Sequence, residues 1–383
     1  MAYFKHHSKL ELEELAYSFM PNKFKLIIQP INSGLINQTF LIVPLILCEF
    51  KPFLLQRINK EVFAKPRDII SNYLFLQHQL ITKQQNVNRS KATLKIPKLL
   101  INQINNKYYT ELKGNFWRAF EYIPNSITYN SLPSDSSFDN LFRALANFHY
   151  STTDIPLGKF KITLPNFHNT SFYIAEYKKA LDIFIANNDQ REGIPQSVNS
   201  IFSYANDNIS EGLLLEEAKS KNILSFNIIH GDPKVNNFLF ESTSNDVLAI
   251  IDLDTLQDGY LIYDISDCLR SSCNLLGEES KALNDIRFDL TSFKLSLSSY
   301  FNSGFNTLNK SDIYFLPYCI RVITYELGIR FLTDYLLGDN YFKTSYKQHN
   351  LTRSKVQFKL LNSIKENWND IVDITNNLYT SRI

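Results

Sequence analysis

Four polar residues near the middle of the chain have the types and spacing needed to transfer a phosphoryl group. In the segment HGDPKVNN, Lys234 follows Asp232 by two residues and Asn237 follows it by five. Fifteen residues after Asn237, the apolar run VLAIIDLD reaches Asp252. Phosphoryl transfer depends on alignment of the attacking hydroxyl and on neutralisation of negative charge, and these side chains can supply both.

The predicted role of each side chain follows from its chemistry. Asp232 can orient an acceptor hydroxyl and accept its proton, and Lys234 can neutralise the transferred phosphate. Asn237 and Asp252 offer oxygen atoms to Mg²⁺, which prefers such ligands. Strand alternation predicts Asp254 on the same face as Asp252, either as a second metal ligand or as a support. Two carboxylates at the end of an apolar strand would be costly without a cation, which favours a functional site over a simple turn or cap.

The predicted elements divide the chain into a sheet-rich beginning and a helical remainder. The first part is predicted to hold helices at 9–20 and 66–82, two strands within 24–43 that turn at Gly34, strands at 52–58 and 116–123, and a hairpin of 96–104 with 107–112 around Asn105-Asn106. The second part is predicted to hold helices at 138–150, 170–187, 197–220, 278–303, 311–338 and 351–378, with a hairpin at 237–241 and 247–252.

This order of elements predicts an α+β fold with two lobes. Residues 1–122 are expected to form a small antiparallel-sheet N-lobe, and residues 123–383 a larger, mainly helical C-lobe. Ligands are expected in the crevice between the lobes.

The composition excludes several classes of protein. Of the 383 residues, 44% are apolar, with 29 Phe and 21 Tyr, so a substantial core is expected and disorder is not. The net charge of +2 argues against a dedicated nucleic-acid binder. The four cysteines form no CxxC pair, which argues against a disulfide framework or a thiolate zinc site.

No secretory or membrane segment is predicted. The beginning of the chain has no apolar signal region, and the apolar run LIVPLIL at 41–47 is too short to span a bilayer. We therefore expect a cytoplasmic monomer or weak oligomer that has no membrane partner, in a compartment where ATP is available.

The HGDPKVNN…IDLDT block resembles the aminoglycoside/choline-type phosphotransferase family, small-molecule kinases with a protein-kinase-like fold. Within that family the chain is similar to the bacterial N-acetylhexosamine 1-kinases. The similarity is carried by GLINQTFLI at 34–42, FLLQRIN at 53–59, PNFHNT at 165–170, IDLDTLQDGYLIYDISDCLR at 251–270 and ELGIRFLTDYLLGDNYFKT at 326–344. The acid and metal motif indicates only the reaction type, whereas the last block is more specific to the hexosamine kinases.

The resemblance implies a sugar 1-kinase that uses ATP and Mg²⁺ and phosphorylates the anomeric 1-hydroxyl of an N-acetylhexosamine. It implies that Asp232 is the catalytic acid/base residue, that Asn237 and Asp252 bind the metal, and that Arg330 and Tyr341 contact the sugar. A kinase of a cationic amino-alcohol or aminoglycoside is the alternative with the same chemistry. From residue 311 onward, nine Lys and Arg against seven Asp and Glu weakly favour a neutral acceptor.

The chain departs from the family pattern in its predicted nucleotide-binding residues. Gly34 and Asn37 are expected in the turn that covers the phosphates, and the backbone from Glu121 to residue 123 is expected to bind adenine. The usual lysine of the third strand is absent from FLLQRIN, so Arg57 is predicted to bind phosphate, with Gln56 competing for the alignment. The helix at 66–82 also lacks a mid-helix glutamate. A non-catalytic pseudokinase binding module is therefore an alternative of another class.

Other polar residues have a structural interpretation as well as a functional one. Asp264, Asp267 and Arg270 could line the acceptor pocket, but a helix N-terminus with an i,i+3 ion pair is the favoured interpretation. His168 is expected to be a structural histidine, because the sequence offers it no partner at metal-ligand spacing.

Overall fold

The first part of the chain forms a five-stranded antiparallel sheet. The computed structural model describes residues 8–31, 34–45, 50–86, 95–188, 195–305 and 307–381. The strands lie in the order β1-β2-β3-β5-β4. They are β1 (Leu26–Ile31), β2 (Gln38–Pro44), β3 (Phe53–Ile58), β4 (Thr110–Leu112) and β5 (Asn115–Glu121).

Alternation along these strands separates a core face from a cleft face. Phe40, Leu55 and Trp117 lie on the core face, where helix α1 (Lys9–Ser18) contributes to the same apolar cluster. Leu54 and Phe120 lie on the opposite face and line a cleft. Helix α2 (Pro66–Asn86) begins with proline, which suits a first helical turn.

The second part of the chain is mainly helical. Its helices are α3 (Asp135–Thr152), α4 (Thr170–Asn188), α5 (Gln196–Asp207), α6 (Glu216–Ser220), α7 (Leu261–Ser272), α8 (Leu290–Phe301), α9 (Lys310–Leu336), α10 (His349–Glu366) and α11 (Trp368–Thr380). Helix α9 has 27 residues, starts at a capping box of Asn309 and Asp312, and packs against α4, α7 and α10. It therefore organises the helical core.

Two small sheets bring the predicted catalytic segments together. β6 (Ser126–Ile127), β8 (Phe238–Glu241) and β9 (Val247–Ile250) form one sheet, and β7 (Phe226–Ile229) pairs with β10 (Gln257–Tyr260) in the other. The segment 230–237 joins β7 to β8, and 251–256 joins β9 to β10. The Ile251 amide donates to the Asn237 carbonyl at 2.9 Å, so the two connections lie side by side.

The α+β fold is confirmed, but the hairpin predicted around Asn105-Asn106 is wrong. A turn is present there, with Asn106 at φ 55°, yet residues 96–104 form only an isolated bridge at Leu99. The paired strands are β4 and β5, which Lys113 and Gly114 connect with positive φ angles.

Three long helices were predicted where the structure has breaks. The helix predicted at 197–220 ends at Asp207 before a 3₁₀ turn and the short α6, and the helix predicted at 278–303 begins only at Leu290. Asn367 separates α10 from α11 within the helix predicted at 351–378. The helix N-terminus predicted at Asp264 to Arg270 is present as α7, whereas the β7–β10 pair was not predicted.

The division of the chain at residue 122 stays a prediction, although β5 ends at Glu121 and β6 already belongs to another sheet. In the described ranges, no helix has both the length and the apolar character needed to cross a membrane.

Candidate active site

A buried aspartate of α7 holds the loop that follows β7. The amides of His230 and Gly231 donate to the Asp264 carboxylate at 2.7 and 2.9 Å, and His149 contacts it at 3.0 Å. Burial alone would raise the pKa of Asp264, but the hydrogen bond and charge of His149 hold it below its usual value. Asp264 therefore braces the loop from the first turn of α7 and does not face an open pocket.

Glycine is required at position 231 by both conformation and space. Gly231 has φ +87°, and a Cβ there would approach the Thr255 carbonyl oxygen at 2.8 Å. His230 donates from Nε2 to the Ile251 carbonyl at 2.9 Å, which ties the loop to the segment after β9. These contacts fix the backbone on which Asp232 sits.

Asp232, Lys234 and Asn237 converge as the sequence predicted. Lys234 Nζ lies 2.6 Å from Asp232 Oδ2. The Asn237 amide donates to the Asp232 carbonyl at 2.7 Å and lies 3.3 Å from its Oδ2. Although burial opposes ionisation, the Lys234 charge keeps the pKa of Asp232 below its ordinary value. Asp232 is thus a carboxylate at neutral pH, the form that can accept a proton.

Asp252 lies in the segment that runs beside this loop. Its backbone is left-handed, with φ 62°, and its side chain is exposed. Partial desolvation by the surrounding protein and the nearby Asp254 carboxylate raise the pKa of Asp252 to about 6. Within the described ranges Asp252 has no hydrogen-bond partner, so a cation would stabilise its ionised form.

The side chains fit the chemistry of a magnesium site. Among the described residues, no three His, Cys, Asp or Glu side chains gather at metal-binding distance. Asn237 and Asp252 instead offer an amide and a carboxylate that line one cleft. Mg²⁺ is commonly held by such a small protein set, completed by phosphate and water. Metal binding by Asn237 and Asp252 stays a prediction.

Strand alternation does not apply to Asp254, so that part of the prediction is wrong. β9 ends at Ile250, and residues 253–255 form a 3₁₀ turn. Asp254 is buried, and its two carboxylate oxygens accept from Asn37 Nδ2 at 2.7 Å and from Arg118 Nη2 at 2.6 Å. This engagement favours support of the site over metal ligation.

A cleft between the first sheet and the catalytic loops, here called the sheet cleft, has apolar and polar lining residues. Its apolar lining includes Leu41, Leu54, Tyr73, Phe120 and Leu239. Gly34, Asn37, Glu121 and Ile123 also line it, as do Asp232, Asn237 and Asp252.

Two of the residues predicted to bind nucleotide have their polar atoms engaged by the protein. Asn37 donates to Asp254 at 2.7 Å and accepts from the Asn59 amide at 3.0 Å. The Glu121 amide donates to the Lys98 carbonyl at 2.9 Å, and its carboxylate accepts from the Lys98 amide at 3.0 Å. Both residues lie at the cleft, but their direct contact with nucleotide stays a prediction.

The structure does not place Arg57 in the sheet cleft, so the prediction that it binds phosphate is not supported. Gln56 lines the cleft, and Arg57, as the next residue of β3, points to the other face, where it donates to Asn115 at 2.8 Å. The arginine that lines the cleft is Arg118, the cross-strand partner of Gln56 on β5. Sequence reasoning missed it, because the register of β3 against β5 cannot be read from either strand alone.

A second cavity, here called the helix pocket, holds the predicted sugar-binding residues. Arg330 and Tyr341 line it together with Asp232. The Arg330 guanidinium lies 4.9–6.0 Å from four aromatic ring centres, those of Phe167, Tyr173, Tyr341 and Phe342. The structure therefore brings Arg330 and Tyr341 to the cavity that Asp232 faces.

Three acids of the helix pocket outside the catalytic loops are paired within the protein. Arg270 contacts Asp267 at 2.8 Å and Glu278 at 2.6 Å. Glu326 accepts from Thr170 at 2.6 Å and lies 3.2 Å from His168 Nδ1. Arg270 and Asp267 thus form the predicted i,i+3 pair and also line the pocket.

Comparison with known proteins agrees with this geometry. Residues 27–287 match the model of the APH phosphotransferase enzyme family. The microcompartment-associated aminopropanol kinase is similar in structure, with a TM-score of 0.61, 13% identity, and coverage of 94% of this chain and 98% of that one.

Two further solved structures share the fold. Choline kinase from Cryptosporidium parvum Iowa II has a TM-score of 0.57 at 15% identity and covers 94% of this chain and 95% of its own. A spectinomycin phosphotransferase, solved with ADP and spectinomycin, has a TM-score of 0.53 at 14% identity, with 97% and 98% covered. At these identities the structural similarity establishes the fold alone. Because the family match spans more than half of the chain, the protein belongs to this phosphotransferase enzyme family and is a small-molecule phosphotransferase with a protein-kinase-like fold.

Proposed function

We propose that the protein transfers the γ-phosphate of ATP to a sugar hydroxyl, with the anomeric 1-hydroxyl of an N-acetylhexosamine as the favoured acceptor. One observation carries this proposal. Asp232, Lys234 and Asp252 line both the sheet cleft and the helix pocket. A transferring phosphoryl group must pass between two bound substrates, and these residues lie at the junction of two cavities.

The proposed mechanism assigns one task to each side chain. The Asp232 carboxylate orients the acceptor hydroxyl and accepts its proton, while Lys234, at 2.6 Å from Asp232, balances charge on the γ-phosphate. Asn237 and Asp252 would hold Mg²⁺, which when bound supplies positive charge to the phosphates. The ADP present in the spectinomycin phosphotransferase structure supports nucleotide use by this fold.

A neutral acceptor is supported by Arg330, a cation that lines the helix pocket. Three of the pocket's acids lie beside other cations: Asp267 and Glu278 share Arg270, and Glu326 lies beside His168. Arg330 has no carboxylate within ion-pair distance among the described residues and would repel an ammonium group. Aromatic rings beside a few polar groups suit a sugar, which has apolar ring faces and hydroxyl edges.

A kinase of a cationic acceptor is the second candidate. The structural neighbours include an aminopropanol kinase and a choline kinase, whose acceptors carry an amine or ammonium group. In this chain Asp267 and Glu278 share Arg270, so the trio has one carboxylate in excess. That excess could attract an amine, but Arg330 lines the same pocket.

A matched panel of acceptors tests the proposal. ADP release would be measured with Mg·ATP and N-acetylglucosamine, N-acetylgalactosamine, glucosamine, choline or an aminoglycoside. Glucosamine is the key control, because it differs from N-acetylglucosamine by a charged amine in place of a neutral amide. We expect turnover with an N-acetylhexosamine, loss of its reducing end in a reducing-sugar assay, and an anomeric phosphate in the product, detected by ³¹P NMR.

Other outcomes of this panel separate the alternatives. Turnover confined to choline, glucosamine or the aminoglycoside would replace the proposed acceptor with a cationic one. Nucleotide binding without metal, combined with no turnover of any acceptor, would favour a non-catalytic binding module.

A further inference from the structure

The sheet cleft contains an arginine whose charge the proposed chemistry has not yet used. Among the described residues that line this cleft, the cations are Lys234 and Arg118. Lys234 is paired with Asp232 at the junction with the helix pocket. Arg118 lies instead on β5, beside the cleft residues Gln56 and Phe120.

The protein fixes the Arg118 guanidinium in one orientation. Gln56 Oε1 accepts from Nε at 2.9 Å and from Nη2 at 2.6 Å, and Asp254 Oδ1 accepts from Nη2 at 2.6 Å. Gln56 is itself held, because its amide donates to Thr39 Oγ1 at 2.9 Å. The guanidinium also lies 4.7 Å from the Phe120 ring centre. A cation held in this way binds an anion without a further loss of side-chain freedom.

One nitrogen of this guanidinium has no hydrogen-bond partner among the described residues. Arg118 is 1% exposed, and its Nη1 is buried with no hydrogen bond to the part of the chain that the structure describes. A buried, charged donor without an acceptor is destabilising. An anionic oxygen in the cleft beside Arg118 would satisfy it, and a guanidinium is well suited to phosphate.

The neighbouring strand β3 has no cation on its cleft face. Gln56 occupies the cleft face of β3, and the other cation of that strand, Arg57, points to the opposite face. Gln56 and Arg118 are direct partners in the β3–β5 ladder. The positive charge of the cleft therefore lies one strand away from β3, with Asp254 as its acidic partner.

We infer that Arg118 binds the α/β-phosphates of the nucleotide, and that Gln56 and Asp254 hold it in place for this contact. The inference rests on the proposed use of ATP. It gives Arg118 a binding role in addition to its structural role of linking the first sheet to the segment that carries Asp252.

Binding of adenosine, ADP and ATP to the wild-type protein and to Arg118→Met tests the inference by calorimetry. Loss of a charge-assisted hydrogen bond to phosphate should weaken ADP and ATP binding by about ten- to a hundredfold. Adenosine binding should stay unchanged, which also controls for folding. Arg57→Met is the matched control, because it removes an arginine from the other face of the sheet and should leave all three affinities unchanged.

The outcomes distinguish this inference from the proposed function. If Arg118→Met keeps the wild-type ratio of ADP to adenosine affinity, Arg118 is only a structural tie and the inference is overturned. If the wild-type protein itself binds ADP and ATP no more tightly than adenosine, it is the proposed function that fails.

A further variant keeps the test decisive if Arg118→Met does not fold. Gln56→Leu leaves the Arg118 charge in place but removes its main acceptor, and it should weaken ADP binding more than adenosine binding. If Gln56→Leu weakens ADP and adenosine binding equally, or neither, the inference is overturned.

Discussion

Asp232 is the residue on which the chemistry depends most. Its carboxylate is ionised beside Lys234, and its backbone is held by Asn237 and by the loop that Asp264 braces. Asp232→Asn removes the proton acceptor while keeping the size of the side chain. We expect turnover to fall by about 10²–10⁴-fold with nucleotide affinity largely intact, as measured by steady-state kinetics and calorimetry.

An aspartate that lines neither cavity provides the control for this variant. Asp154 is 79% exposed and pairs with Lys83. Asp154→Asn should keep the wild-type rate. Near-native turnover in Asp232→Asn would show that another group accepts the proton.

Arg330 is predicted to act on the acceptor and not on the nucleotide, because it lines the helix pocket. Arg330→Ala removes its donors and its contacts with Tyr341 and Phe342. The KM for the sugar should rise by about tenfold or more, while the KM for ATP changes little. Arg330→Lys keeps the charge and should have a smaller effect. A larger rise in the ATP KM would move Arg330 out of the acceptor site.

His168 connects the catalytic loop to α9 through two acceptors. Its Nε2 contacts the Gly231 carbonyl at 2.8 Å and its Nδ1 contacts Glu326 at 3.2 Å, so both nitrogens donate only when the ring is protonated. Burial alone would lower the pKa of His168, but Glu326 and the Gly231 carbonyl raise it above its ordinary value.

This histidine should make stability depend on pH with a defined sign. Because the folded-state pKa of His168 is raised, its contribution is complete below the unfolded pKa of about 6.5 and is lost as pH rises through the folded pKa. His168→Gln should cost about 2 kcal/mol of unfolding free energy at pH 6 and less at pH 9, measured by urea denaturation. A difference that grows with pH would show that His168 is neutral in the folded protein.

The site residues that could be predicted from the sequence differ from those that could not in their separation along the chain. Asp232, Lys234 and Asn237 lie in one short loop, so their spacing along the chain already sets their proximity. Arg118 and Asp254 are 136 residues apart, and their 2.6 Å contact depends on how two sheets face each other. No local pattern could predict that pair.

Among the elements, helices were predicted well where a long apolar segment continues without a break. Helix α9 was predicted within a few residues, because its 27 residues form one long segment that is apolar on most sides and largely buried. The alternation rule was wrong for Asp254, because β9 ends four residues earlier, at Ile250. The β7–β10 pair was missed because it has four residues in each strand.

The packing of α9 against α10 depends on Gly328, although glycine has a low helix propensity. A Cβ at Gly328 would meet the Phe358 ring at 2.5 Å. Gly328→Ala should therefore destabilise the protein by about 1–3 kcal/mol, measured by urea denaturation, because the core has no room for the methyl group.

Helix propensity alone predicts the opposite sign for this change. In an exposed helix, glycine to alanine stabilises by about 1 kcal/mol. A stabilised Gly328→Ala would thus contradict the close packing of α9 on α10. Adding Phe358→Leu to Gly328→Ala should recover part of the lost stability, because it frees the volume that the ring occupies.

In the whole molecule, the segment after α9 contacts Leu35, a residue that lines both cavities. The Lys343 amide donates to the Leu35 carbonyl at 2.9 Å, which links the turn after β1 to the segment that carries Tyr341. Leu35 lines both the sheet cleft and the helix pocket. The α+β fold and the order of its parts could be predicted from the sequence, whereas this long-range closure could not.

In the proposed mechanism, one shared site at the junction of the two cavities holds the acceptor hydroxyl and the metal. A crystal structure with a non-hydrolysable ATP analogue, Mg²⁺ and an N-acetylhexosamine tests it most directly. We predict metal coordination by Asn237 and Asp252, with the anomeric hydroxyl within hydrogen-bond distance of the Asp232 carboxylate. A metal bound away from both residues, or an acceptor with no hydroxyl near Asp232, would show that the proposed shared site is wrong.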